Sequence, residues 1–155
     1  MQDEFLLSLG ERGVDIASAP STILLVDDDP DIRSLTKTFL EHEGYRVFSS
    51  GDAERAAQIF SSVPRVDVPR IDLLITDLYL PGRSGMELAV ELKGLRSELP
   101  VLMISGGAVD GGQRAQLQQE GWRFLGKPFR LTELLSTVHV MLAVGEAERN
   151  RHCEA

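Results

Sequence analysis

Polar residues with chemical potential follow directly on four short apolar runs in this sequence. Asp27, Asp28 and Asp29 follow Ile23-Leu24-Leu25-Val26, and Thr76 and Asp77 follow Leu73-Leu74-Ile75. Ser105 follows Val101-Leu102-Met103-Ile104, and Lys127 stands just beyond Phe124-Leu125. Two carboxylates about 4 Å apart repel by about 4 kcal/mol at an effective dielectric of about 20, so gathering Asp27, Asp28 and Asp77 requires a counter-charge. Oxygen-only ligation with no Cys or His nearby suits a hard divalent ion, Mg2+ by abundance, which shares its shell readily with phosphate. A carboxylate can also attack phosphorus and become an aspartyl phosphate. Ser105 can donate a hydrogen bond to one phosphoryl oxygen and Lys127 can pair with another, which completes a site for phosphoryl transfer.

The elements that must position these residues are legible as a rhythm. Besides the four runs, Tyr45-Arg46-Val47-Phe48 forms a weaker fifth, and such continuous apolar runs fit strands of a parallel sheet covered on both faces. Between them lie stretches with helical spacing: Ile32, Leu35, Phe39 and Leu40; Ala53, Ala56, Ala57 and Phe60; Leu88, Ala89, Leu92 and Leu95; and Leu131, Leu134, Leu135, Val138, Met141 and Leu142. Strict alternation implies right-handed βαβ units in a doubly wound α/β sheet, whose ligands sit at the carboxyl ends of the strands. Gly106 to Glu120 is the doubtful helix: its four glycines predict a short, irregular or mobile segment.

Each residue also has an ordinary reading. Asp29 before Pro30 can cap a helix, Asp77 can close a strand-end turn, Ser105 can be a loop serine and Lys127 a solvated lysine. Their ordered placement at successive strand ends favours the chemical reading.

Composition narrows the field. The 155 residues predict one domain, and 43% hydrophobic with 26% charged residues suits a folded core. A net charge of −8 without a Lys/Arg stripe argues against a nucleic-acid surface. Cys153 is the single cysteine, and no run approaches membrane-helix length, so the expectation is a soluble, cytoplasmic protein. Residues 1–20 read as a flexible N-terminal extension, 21–144 as the domain, and 145–155, poor in apolar residues, as a C-terminal tail. His42, His139 and His152 all lie away from the expected site.

Four motifs, Ile23 to Arg33, Asp72 to Leu88, Pro100 to Ser105 and Lys127-Pro128-Phe129, resemble in order and spacing the receiver domain of two-component response regulators, from Thr22 to about Val144. The resemblance implies a flavodoxin-like (βα)5 fold with a five-stranded parallel sheet in the order 2-1-3-4-5. It implies that Asp77 is the phosphoacceptor for a histidine kinase or histidine phosphotransfer protein. Mg2+ would be held by Asp28 directly, Asp27 through water, Asp77 and the Tyr79 backbone carbonyl. By the same resemblance Ser105 is the switch hydroxyl, Phe124 the switch aromatic, and Lys127 the phosphate-pairing lysine before a cis Pro128. The implied output is a face formed by the fourth helix, fifth strand and fifth helix, offered to a downstream protein by a monomer or a phosphorylation-dependent homodimer.

Three features depart from the family pattern. Gly121-Trp122 replaces a Gly-Ala pair and stands one residue closer to the lysine, so Trp122 either fills the shortened turn or marks a partner surface. Tyr79 and Gly107 occupy positions that in the family modulate how water reaches the phosphoryl group, and a bulky Tyr79 predicts slow hydrolysis. Ser61 to Arg70, with Pro64 and Pro69, lengthens the connection after the second helix. The competing readings are an interaction module that is not phosphorylated and a Mg2+-dependent phosphohydrolase. The latter usually needs a substrate cap and a second acid where Tyr79 stands. The chain is read either as a free-standing regulator or as a receiver segment of a longer hybrid kinase.

Overall fold

The computed structural model describes residues 20–62 and 70–154, with side chains to residue 147. The expected N-terminal extension lies outside these residues up to position 19, as does most of the proline-containing connection, 63–69. Among the described residues five strands alternate with five helices: β1 (Thr22–Val26), α1 (Pro30–His42), β2 (Arg46–Ser50), α2 (Ala53–Ser62), β3 (Leu73–Asp77), α3 (Gly85–Leu95), β4 (Val101–Ser105), α4 (Gly111–Glu120), β5 (Arg123–Gly126) and α5 (Leu131–Glu154). All the pairings are parallel and the sheet order is β2-β1-β3-β4-β5, as expected.

Alternation along the strands divides the core in two. Leu24, Val26, Leu74, Val101 and Met103 face α2, α3 and α4, where they meet Ala56, Leu88, Leu92 and Leu117. Ile23, Leu25, Ile75, Leu102 and Ile104 face α1 and α5, where they meet Leu40, Leu134, Val138 and Met141. The three inner strands are buried at every position, which explains their unbroken apolar runs. Among the described residues no helix is long and apolar enough to cross a membrane.

Three expectations change. Helix α4 is short but regular, because its glycines fall outside its interior or in its first turn and its ends are capped. Asp110 and Gln113 form a reciprocal capping box, and Gly121 closes the other end at φ 72°. Leu35, read as part of the apolar stripe of α1, is 60% exposed, and Thr36 takes the buried position with Leu40. The segment from 145, expected to form no element, is helical: α5 continues unbroken to Glu154. Glu, Ala and Arg extend an existing helix at little cost.

Candidate functional site

Register gathers the strand ends. Val26 lies opposite Thr76, Asp77 opposite Ile104, and Ser105 opposite Gly126, so β1, β3, β4 and β5 release their next residues at one edge. Asp29 caps α1 by accepting from the Asp31 and Ile32 amides, with Pro30 opening the helix. That frees the two preceding acids for the sheet edge.

Asp27 and Asp77 are buried, and each divides its carboxylate between two tasks. Asp27 Oδ1 accepts the Asp29 amide at 2.9 Å, and Asp27 Oδ2 accepts Lys127 Nζ at 3.1 Å. Asp77 Oδ1 accepts the Tyr79 amide at 3.1 Å, and Asp77 Oδ2 accepts the same ammonium at 2.8 Å. Asp28 is exposed at the mouth, and one oxygen from each of the three acids lies within 4.8 Å of the others. This all-oxygen set, with one open carboxylate, fits a hard divalent cation. Burial alone would push the Lys127 ammonium down, but its hydrogen bonds and attraction to Asp77 and Asp27 outweigh that and hold it above the usual lysine range. The peptide bond between Lys127 and Pro128 is cis.

Ser105 is buried beside this group and faces its own loop: Oγ accepts the Gly107 amide at 3.0 Å and lies 3.4 Å from the Gly107 carbonyl. Phe124 is 41% exposed on β5 and belongs to neither core cluster. Trp122 is buried in the core and carries Lys93 Nζ 5.8 Å from its ring centre, so it fills the shortened turn. His42 and His139 are exposed on α1 and α5, away from the three acids, and His152 has no described side chain.

Two supporting residues have no individual role in the sequence reading. A Cβ on Gly85 would stand 2.0 Å from the Asp77 carbonyl, and the Gly85 amide bonds Leu78 O at 2.8 Å, so α3 begins against the backbone of Asp77. Arg33 donates to the Asp27 carbonyl at 2.7 Å and fills the space a Cβ on Gly51 would enter. The signal for Gly85 is a glycine just inside a helix start, after the Ser84 cap, where no turn conformation requires one.

The model of the response regulator receiver domain matches residues 23–139, and the chain belongs to that family of two-component systems. It is 32% identical over 133 residues to the transcriptional regulatory protein AruR of Pseudomonas aeruginosa, covering 86% of this chain and 52% of that protein. The transcriptional regulatory protein CpxR of Escherichia coli is 33% identical over 122 residues, covering 77% of this chain and 48% of that protein. The chain thus spans about half the length of these relatives. A receiver domain from Methanospirillum hungatei superposes with a TM-score of 0.75 at 28% identity, over 83% of this chain and 98% of that one. Receiver domains are generally phosphoacceptor switches served by histidine kinases, not turnover enzymes.

Proposed function

We propose that Asp77 accepts a phosphoryl group from a phosphohistidine of a kinase or phosphotransfer protein, and that the chain then signals through α4, β5 and α5 to a downstream protein. The observation that carries this reading is the Lys127 ammonium bridging Asp27 and Asp77, with Asp28 open beside them. A free oxygen pair on Asp77 attacks phosphorus, the P–O bond forms as the P–N bond breaks, and the imidazole leaves with the bonding electrons and takes up a proton. Asp27, Asp28, Asp77 and the Tyr79 carbonyl would hold Mg2+, which when bound supplies the positive charge that lets a phosphate approach three acids. Lys127 then pairs with a phosphoryl oxygen. Ser105 turns its hydroxyl from the Gly107 carbonyl to another. Phe124, exposed before that change, follows inward and alters the output face.

Turnover is limited to self-phosphorylation from small donors and slow self-dephosphorylation, and the cytoplasm is the compartment where such donors and kinases act. Intact mass after incubation with acetyl phosphate and Mg2+ tests the reading. One phosphoryl group is expected in the wild type and none with EDTA or in Asp77→Asn. A wild type that gains nothing from acetyl phosphate or from a phosphorylated histidine donor would leave an interaction module that is not phosphorylated.

A further inference from the structure

We propose that Tyr79 is a positioning residue that ties the Asp77 loop to the N-terminus of α4, giving Asp77 a second link to that helix besides the one through Ser105. The part of the inference that concerns phosphorylation rests on the phosphoacceptor reading. The link has two ends on one residue. The Tyr79 amide donates to Asp77 Oδ1 at 3.1 Å, and its phenol donates to the Ala108 carbonyl at 2.6 Å. The same hydroxyl lies 3.4 Å from Gln113 Oε1, and that oxygen also accepts the Asp110 amide in the box that starts α4. The ring reaches this loop because residue 107 has no side chain: a Cβ there would stand 3.1 Å from Tyr79 Cε2.

Helix α4 is well suited to such control because, beyond its own capping box, little packing holds its first turns. Leu117 is its one buried residue, Val109 packs only partly against the core, and the Lys93–Glu120 ion pair grips the opposite end. Phosphorylation disturbs the tether at both ends. The phosphoryl group changes the carboxylate that accepts the Tyr79 amide. Ser105, turning toward it, gives up the carbonyl of Gly107, the residue next to the phenol's acceptor. The tether therefore loosens as the acyl phosphate forms, and the start of α4 is freed.

Hydrogen exchange read by mass spectrometry, on the full chain before and after treatment with acetyl phosphate and Mg2+, tests this, with intact mass recorded on the same samples. In untreated Tyr79→Phe, which keeps the ring and loses the hydroxyl, amides from 109 to 114 should exchange about two- to tenfold faster than in the wild type. Amides of β1 and β3 should be unchanged. Gly107→Ala, which displaces the ring but keeps the hydroxyl, should do the same. Treatment should accelerate these amides in the wild type and add little in Tyr79→Phe. Equal exchange in untreated wild type and Tyr79→Phe would overturn the tether. An equal response of both to phosphorylation would overturn its role in transmission. A wild type that gains no phosphoryl group would remove the phosphoacceptor reading and the transmission with it, while the untreated comparison would still decide whether the hydroxyl holds α4.

Discussion

Lys127 holds together two carboxylates that would otherwise repel, and this fixes the sign of its pH dependence. Its pKa is raised on folding, so its stabilising contribution is present below the ordinary lysine value and is lost as pH rises through the raised one, at about pH 10 and above. Asp77→Asn removes the larger of the two attractions. The Lys127 pKa should therefore fall in that variant, as read by NMR of the side-chain amine; an unchanged value would mean that Asp27 alone sets it. Gly85 is the steric counterpart. In Gly85→Ala the methyl group would meet the Asp77 backbone carbonyl at 2.0 Å, so the start of α3 or the Asp77 loop must move. That variant should lose most phosphoryl acceptance while circular dichroism still reports a folded α/β domain. Full acceptance in Gly85→Ala would show that the loop tolerates displacement. The acids, Ser105 and Lys127 were legible in the sequence because each follows an apolar run. Arg33 and the contact of Tyr79 with Gly107 were not, because each depends on a close approach between segments that no local pattern records, and Gly85 left only one local mark, a glycine just inside a helix start.

At the scale of elements, apolar runs marked the strands and helical spacing marked every described helix except α4, which the sequence offered only as a doubtful one, and the spacing failed where two faces of a helix compete. In α1 the sequence offers Ile32, Leu35, Phe39 and Leu40 as one stripe, yet the buried line is Thr36 and Leu40, four residues apart, with Phe39 packed partly against the core, and Leu35 is turned to solvent. A buried threonine in place of an apolar residue hides that line from a hydropathy reading. Urea denaturation should separate the two leucines. Leu40→Ala should cost about 2–5 kcal/mol, as expected for a core deletion, and Leu35→Ala less than about 0.5 kcal/mol. A large loss at Leu35 would mean that this face of α1 is covered in solution. Helix α4 failed in the opposite direction. Its glycines suggested irregularity, but Asp110, Gln113 and Gly121 satisfy its ends, and capping outweighs propensity when the costly residues stand at the first two helical positions.

At the scale of the molecule, one feature of the composition competes with the site for the same ion. A chain of net charge −8 is stabilised by any cation that screens it, so Mg2+ could raise stability with no binding site at all. The proposed site predicts something screening cannot. A bound ion adds stability that grows by about 1.4 kcal/mol for each tenfold rise in free Mg2+ above its dissociation constant, without the saturation expected of screening at fixed ionic strength. Asp28 is the acid to remove, because it is exposed and its replacement leaves the core and the Lys127 bridge in place. Thermal unfolding of the wild type in Mg2+, at ionic strength matched with KCl, should show a rise in Tm that EDTA reverses. Asp28→Asn should show little or none. An equal rise in both proteins would assign the effect to screening of the whole acidic surface, and a rise retained only at low ionic strength would do the same.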